Sequence, residues 1–193
     1  MHREPLLSLL HQYNPIDSNE RAMWLDTIAF VEQQPSCFER SLAMGHITGS
    51  AWIVSSNATP ANRQQTVLIH HRKLDRWFQP GGHADGNPDV AAVAMQEAQE
   101  ETGLSGLRFA GNPGEPPAIF DVDVHLIPAR PDEPAHFHYD IRFLIEADPN
   151  EPFVESGETK AIQWVRLEDI PTFTEETSIQ RMIEKSVFLA KTN

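Results

Sequence analysis

Cysteine, basic residues and long apolar runs are all scarce in this chain of 193 residues. The single cysteine, Cys37, excludes an internal disulfide and is typical of a reducing compartment, so we expect a cytoplasmic protein. No apolar run approaches the roughly 20 residues that a membrane span needs. The apolar stretch near the start is too short for a signal peptide, and it lacks a small-residue cleavage site.

The shortage of cations excludes partners that need a basic surface. Lysine and arginine number 15 against 28 acidic residues, which gives a net charge of −13. Non-specific binding to a nucleic-acid backbone or an anionic membrane requires positive surface, so we expect neither a nucleic-acid polymer nor a membrane as partner. A small phosphorylated substrate stays compatible, because a bound metal ion supplies positive charge locally.

The most informative segment is GGHADGNPDVAAVAMQEAQEETGL, residues 81–104, in which a Gly-Gly turn leads into a predicted helix. Asn87 is the predicted N-cap and Pro88 the predicted first helical residue. Gly103 fits the position just past the helix end, where glycine is favoured.

Three glutamates stand near the end of this helix, within an arc of about 100°: Glu97, Glu100 and Glu101. Like charges at this spacing repel by roughly 0.2–0.5 kcal/mol per pair, and carboxylates are unfavourable at the negative end of the helix dipole. A divalent cation such as Mg²⁺ would remove both conflicts, since hard cations select carboxylate oxygens and bring substrate phosphates with them. The alternative is an acidic, solvated helix face; the Gly-Gly turn at a fixed distance upstream favours the metal site.

The segment resembles the Nudix box, whose pattern is G-x5-E-x7-R-E-U-x-E-E-x-G-U with U an aliphatic residue. With Gly82 as the first glycine, the second half of the pattern aligns without a gap, from Glu97 to Leu104. The resemblance extends more loosely over about Ile47 to Leu167, and the phrase HHRKLDRWFQPGGHADG is similar to a bacterial subgroup of the family. It implies the Nudix fold, an α/β/α sandwich of the α+β class with a mixed sheet.

Two positions depart from the box pattern. Gln96 occupies the arginine position, and in the family that arginine helps to orient a neighbouring glutamate. Glutamine can form a hydrogen bond but carries no charge. The substitution is therefore expected to affect the fine geometry of the site and the rate of the reaction. Pro88 occupies the first glutamate position, with Asp85 and Asp89 on either side.

The resemblance implies residues that bind the metal and catalyse the reaction. Glu97, Glu100 and Glu101 are the implied metal ligands, with Mg²⁺ or Mn²⁺ as the cofactor. The Gly81 carbonyl is a further candidate ligand, because a glycine turn lets the backbone approach an ion closely. The general base is one of these three glutamates or Glu158, which precedes Trp164 by six residues. The alternative for Glu158 is a surface loop acid.

Candidates for substrate binding lie around the only dense basic run, HHRK at residues 70–73. Strand alternation places His70 and Arg72 on one face, which could meet a diphosphate; the alternative is a solvated strand end. Trp77 is a candidate for stacking on a base, although such residues more often belong to the core. His83 lies inside the box loop, where it contacts substrate or simply closes the turn.

Two further histidines raise the question of a zinc site. His136 and His138 fall on one face of a predicted strand, as do His138 and Asp140. Zinc sites use at least three protein ligands, and the sequence shows no convincing third ligand nearby and no neighbouring cysteine. The sequence therefore predicts no zinc site.

The pattern along the chain predicts an N-terminal helical extension at residues 1–45 and a Nudix domain at residues 46–193. Leucines 6, 7, 9 and 10 form the apolar face of a first helix, and Asp17 or Ser18 caps a second. This extension is expected to shield the core or to form a homodimer contact. Strands and a final helix follow, with these predicted spans: Ser50–Val54, Thr66–His70, Ala118–Ile127, His138–Ile145, Ala161–Val165 and the helix Ser178–Lys191.

The expected function is metal-dependent hydrolysis of a diphosphate linkage in a nucleoside diphosphate derivative, by attack of water at phosphorus. One alternative is a non-catalytic nucleotide-sensing domain of the same fold, for which Gln96 is the one supporting residue. A diphosphate isomerase is a weaker alternative, because that chemistry uses an active-site cysteine and Cys37 lies before the first core strand.

Overall fold

The computed structural model describes residues 2–56, 65–112, 114–131, 133–155, 157 and 159–192. The predicted turn at residues 57–63 and Glu158 lie outside these ranges. The helices are α1 (Glu4–Gln12), α2 (Ser18–Gln33), α3 (Val90–Thr102) and α4 (Thr177–Thr192), with a 3-10 helix at Leu167–Thr172. The strands are β1 (Gly45–Ser55), β2 (Gln65–His71), β3 (Arg76–Phe78), β4 (Gly81–His83), β5 (Arg108–Phe109), β6 (Ile119–Ile127), β7 (His136–Ala147) and β8 (Thr159–Arg166). No helix in the described part of the chain is long and apolar enough to cross a membrane.

The two predicted N-terminal helices are present. In α2, the Asp17 side chain accepts a hydrogen bond from the Glu20 amide at 2.8 Å, which satisfies one of the unpaired donors at the helix start. Leu6 and Leu10 of α1 are buried. The Trp24 indole donates to the Leu10 carbonyl at 2.8 Å and so ties α2 to α1.

A buried carboxylate holds α2 against β6. Glu20 is 0% exposed and accepts hydrogen bonds from the amides of Ile16 (2.8 Å) and Val122 (3.2 Å). The Tyr13 hydroxyl also donates to Glu20. Because these donors come from the interhelical turn and from β6, the helical extension is anchored on the edge of the sheet.

The sheet confirms the predicted α+β class with a mixed sheet. The strand order is β3-β2-β1-β7-β5, and β4, β6 and β8 pair with β1, β7 and β2 respectively. These three pairings and those of β2 with β1 and β3 are antiparallel. Strands β1 and β7 run parallel, since Phe137 donates to Met44 near their starts and Ser56 donates to Ala147 near their ends.

The chain divides into two compact units, and β1, β7 and α3 each contribute residues to both. The first unit contains Met1–Ser50, Gly81–Ala94 and Gly111–Phe143; the second contains Ala51–Pro80, Met95–Ala110 and Leu144–Asn193. The second unit has an apolar core that includes Ala98 of α3, Ile53 of β1 and Ile145 of β7, each fully buried. The predicted domain boundary at residue 45 stays a prediction.

The start of α3 corrects one prediction. The helix begins at Val90, and the Asp89 carboxylate accepts from the Ala92 amide at 3.0 Å, as an N-cap residue does. Asn87, the predicted cap, instead accepts from the Asp89 amide at 3.0 Å. Pro88 therefore lies in the preceding turn and not in the first helical position. Either residue could have capped the helix, and the carboxylate directly before the apolar run is the one that does.

Candidate active site

The end of α3 is fixed by a glycine that no other residue replaces easily. Gly103 has φ +73°, and its amide donates to the Gln99 carbonyl at 2.8 Å, as predicted for the residue after the helix. A Cβ at this position would lie 2.4 Å from the Val154 Cβ. The Val154 amide donates to the Thr102 carbonyl at 2.9 Å, so this helix end is held by backbone contacts.

The three predicted metal ligands differ in exposure along the last turns of α3. Glu100 is exposed, Glu97 is half-buried and Glu101 is only 6% exposed. Ala98, between them in sequence, is fully buried in the apolar core and lies on the helix face next to Glu101. An all-oxygen donor set of this kind suits a hard divalent cation, and the side chains present therefore fit the implied metal.

Gln96 contacts one of these glutamates directly. Its Nε2 donates to Glu100 Oε1 at 2.8 Å, one helical turn away. The hydrogen bond restricts the Glu100 carboxylate without adding positive charge beside it. The arginine position of the box pattern is therefore occupied here by a neutral amide that contacts Glu100.

Gly81, the candidate backbone ligand, lies in the short strand β4 and pairs with Ser50 of β1. A Cβ at Gly81 would lie 2.2 Å from the Ser50 hydroxyl oxygen, so close strand packing alone requires glycine there. The coordinating role of its carbonyl stays a prediction.

The basic run differs in part from its predicted geometry. Strand β2 ends at His71 with a register shift between His70 and His71, so strand alternation does not continue to Arg72. The Arg72 guanidinium donates to the backbone carbonyls of Gly157 (3.1 Å) and Thr159 (2.8 Å). These two hydrogen bonds hold the Arg72 side chain against the start of β8 and the residue Gly157 just before it.

His70 and Trp77 do come together. They are cross-strand neighbours on β2 and β3, and their rings stack at 4.9 Å with an interplanar angle of 13°. His70 Nε2 lies 2.9 Å from Asp75 Oδ1, and the Lys160 ammonium also contacts that carboxylate. The roles of these residues in substrate binding remain predictions.

His83 belongs to a cluster that the sequence did not predict. Its ring lies 5.0 Å from His46 and 5.1 Å from His138, and the His46 ring lies 5.0 Å from His136. The nitrogen atoms of His46, His136 and His138 are within 4.8 Å of one another, close enough to hold one metal ion. The prediction that no third ligand accompanies His136 and His138 is therefore wrong. The missing ligand is about 90 residues away in sequence, and only strand pairing brings it near.

Burial and mutual repulsion lower the pKa of His46, His83 and His138 and so disfavour their charged forms. Burial lowers the pKa of His46 from 6.5 to about 4, and the neighbouring His83 and His136 act in the same direction. Burial lowers the pKa of His138 to about 2, again with repulsion from the surrounding imidazoles. The pKa of His83 is also lowered, chiefly by burial and then by Arg40.

A buried network of ion pairs joins β6 to β7, the strand that carries His136 and His138. Arg142 contacts Asp140 at 2.7 Å, Asp121 at 3.0 Å and Asp123 at 3.4 Å, and all four side chains are buried. Burial alone would lower the pKa of Arg142, but the three carboxylates together raise it. Asp123 Oδ2 also lies 2.9 Å from His125 Nδ1, which links the network to a further histidine.

Comparison with known proteins agrees with this fold. A family model described as the NUDIX domain matches residues 53–185. A comparison with curated proteins gives no match. Solved structures with the same fold include a C. elegans Ap4A hydrolase, at TM-score 0.58 and 18% identity over 75% of this chain and 98% of that one. A Nudix-family hydrolase from Clostridium perfringens gives a TM-score of 0.56 and 22% identity over 75% of this chain and 97% of that one. A MutT Nudix hydrolase from Burkholderia pseudomallei gives a TM-score of 0.53 and 21% identity over 74% of this chain and 98% of that one.

The family match covers more than half of the chain, and it includes the helix that carries the three glutamates. The chain therefore belongs to the Nudix family, and it is a pyrophosphohydrolase.

Proposed function

We propose that the protein hydrolyses a diphosphate linkage in a nucleoside diphosphate derivative by water attack at phosphorus, with Mg²⁺ or Mn²⁺ as cofactor. The observation that carries this proposal is the carboxylate cluster on the last turns of α3, in which Gln96 holds Glu100 at 2.8 Å. The C. elegans neighbour is an Ap4A hydrolase, which supports a nucleotide with linked phosphates as the substrate class.

Glu97, Glu100 and Glu101 would hold the metal, with the Gly81 carbonyl as a further proposed ligand. When bound, the ion neutralises phosphate charge and makes a bound water more acidic. The Glu100 side chain is exposed to solvent, whereas Glu101 is buried. One of these glutamates, or Glu158, would accept the proton of the attacking water.

Four residues are proposed to bind the substrate. His70 and Arg72 would contact the phosphates as hydrogen-bond donors, and His83 would approach them from the box loop. The Trp77 ring, stacked on His70, offers an aromatic face of the kind that binds a nucleobase. A homodimer through the N-terminal helices also remains a prediction.

A phosphate-release screen tests the proposal. Nucleotide sugars, ADP-ribose, dinucleoside polyphosphates and nucleoside triphosphates would each be incubated with the protein and either Mg²⁺ or Mn²⁺. On the best substrate, we expect Glu100→Gln and Glu101→Gln to lower kcat/KM by roughly 100-fold or more, because each change removes an anionic metal ligand.

Glu175→Gln is the matched control, since Glu175 is an exposed glutamate outside the proposed site. It should keep full activity, and circular dichroism should show all three variants folded. Full activity of either box variant with metal present would contradict the proposal, as would tight nucleotide binding without turnover of any compound in the panel.

A further inference from the structure

Five of the nine histidines in the chain gather within the first compact unit. The sheet explains their convergence. The β6–β7 register sets His125 opposite His138, and the β1–β4 pairing places His83 beside the start of β1, where His46 lies. Ring centroids of neighbouring members are 4.9–5.4 Å apart. Imidazoles this close cannot all be protonated at once, and the neutral imidazole is the form that binds a metal ion.

We propose that His46, His136 and His138 bind one divalent transition-metal ion, with Zn²⁺ as the ion of choice. Their ligand nitrogens all lie within 4.8 Å of one another. The Nε2 atoms of His136 and His138 are 3.3 Å apart. Two nitrogens bound at about 2.0–2.1 Å to a tetrahedral Zn²⁺ are about 3.3 Å apart, so this pair already has the spacing that zinc requires.

His46 supplies an independent observation. It is only 1% exposed, and among the described residues neither of its ring nitrogens has a hydrogen-bond partner. Leaving a buried polar group unsatisfied is unfavourable, and a metal ion would satisfy one of the two nitrogens. A simple hydrogen bond between His136 and His138 accounts for their short contact, but it leaves His46 unexplained.

The surroundings fix the ligand atom of His136. Its Nδ1 lies 2.9 Å from the Pro134 carbonyl, and a carbonyl can only accept, so Nδ1 carries the proton. The lone pair is then on Nε2, which faces His138. Metal-bound histidines are typically held in this way, with the second ring nitrogen donating to a carbonyl or carboxylate.

The donor set also selects the metal. Three neutral imidazoles favour Zn²⁺ and other borderline transition metals over Mg²⁺, which takes oxygen ligands. His83 and Glu133 are the candidates for a fourth ligand. The Glu133 Oε1 lies 3.8 Å from His136 Nε2. The nitrogen site therefore differs in chemistry from the carboxylate cluster of α3 and does not depend on the proposed hydrolysis.

The experiment uses the full chain, stripped with a chelator and titrated with Zn²⁺ alone by calorimetry, with metal content measured after desalting. We expect one tightly held Zn²⁺ per chain and a rise in Tm on binding. His136→Gln and His138→Gln should each weaken Zn²⁺ binding at least 100-fold and abolish the rise in Tm. Co²⁺ in place of Zn²⁺ should give the intense visible absorption of a four-coordinate ion.

Two controls separate this site from others. His11→Gln removes an exposed histidine of α1 and should bind Zn²⁺ as the unaltered chain does. Glu100→Gln should also retain the tight Zn²⁺, because the glutamates are not its ligands. His138 is only half-buried, so its variant is expected to fold even where His46→Gln does not.

Failure of the unaltered chain to bind Zn²⁺ tightly would overturn the inference. It would also be overturned if both His136→Gln and His138→Gln bound Zn²⁺ with undiminished affinity. Loss of Zn²⁺ in Glu100→Gln, with retention in His138→Gln, would assign the bound ion to the carboxylate cluster. None of these outcomes bears on turnover with Mg²⁺, so the proposed function is judged separately.

Discussion

At the scale of single residues, Gln96 departs from the family pattern and contacts a glutamate of the box. An arginine in this position would offer a charged fork to a neighbouring carboxylate. The glutamine amide is neutral, and its Nε2 donates to Glu100 Oε1 at 2.8 Å. Both side chains are exposed, so the bond acts in water and its energy is modest.

We expect Gln96→Ala to lower kcat/KM roughly 3- to 10-fold, which corresponds to about 1 kcal/mol for the lost hydrogen bond. Gln96→Glu should be worse, since it places two carboxylates one turn apart. The apparent affinity for Mg²⁺ should fall in Gln96→Ala, and steady-state kinetics over a range of Mg²⁺ concentrations would measure this.

Gln99→Ala provides the control for Gln96→Ala, because Gln99 is an exposed glutamine on the same helix. Equal kcat/KM and equal Mg²⁺ dependence in Gln96→Ala and Gln99→Ala would show that the bond to Glu100 has no role in positioning. A purely structural effect would change the stability of both variants and leave the Mg²⁺ dependence unaltered.

At the scale of elements, Glu20 is the residue that attaches the N-terminal helices to the sheet. Glu20→Ala leaves the buried Val122 amide and the part-buried Ile16 amide without their acceptor. We expect the free energy of unfolding to fall by about 3 kcal/mol, since each unsatisfied buried group costs about 1–3 kcal/mol. Urea denaturation would measure the loss, and amide exchange at Val122 should accelerate.

Glu32→Ala gives the comparison for Glu20→Ala, because Glu32 is exposed on the same helix and the change in helix propensity is the same. Should the two variants unfold at the same urea concentration, the hydrogen bonds of Glu20 would contribute nothing to attachment of the extension.

The elements that the sequence predicted are those with a local signal. Both N-terminal helices, the cap at Asp17 and the glycine after α3 follow from periodicity and cap chemistry. Strands β3, β4 and β5 have two or three residues each, too few for any periodicity, and they exist because a neighbouring strand pairs with them. The start of α3 was misplaced by two residues because three successive residues all carry helix-start signals.

The candidate site divides in the same way. The three glutamates lie within five residues on one helix, so their common face could be predicted from sequence alone. The histidine cluster draws on four strands, and His46 is near His136 only through the sheet. The spacing of residues along the sequence does not predict that contact.

At the scale of the whole molecule, acid stability should reflect the buried histidines more than the net charge of −13. His46 has a pKa of about 4 in the folded chain and 6.5 when exposed, chiefly because burial penalises its charge. His83, His136 and Arg40 face it and disfavour its protonation, whereas Glu133 favours it. Between these two pH values the unfolded chain binds the additional proton, so folding becomes less favourable as the pH falls.

We therefore expect the chelator-stripped protein to lose stability as the pH is lowered from about 6.5 to 4, by about 3 kcal/mol from His46. Above pH 6.5 this contribution should be constant. Urea denaturation at closely spaced pH values would measure the slope. The window lies above that of exposed carboxylates such as Asp75 and Asp85, whose ion pairs lower their pKa below 3.8.

His46→Gln cannot titrate, so its stability should depend less on pH across this window, whereas His11→Gln should keep the slope of the unaltered chain. The reason is that His11 is an exposed residue of α1 and does not belong to the histidine cluster. If His46→Gln and His11→Gln lose stability in parallel between pH 6.5 and 4, the acid sensitivity comes from groups other than His46. A flat profile for the unaltered chain would show that the His46 ring takes up a proton in the folded protein as readily as in the unfolded one.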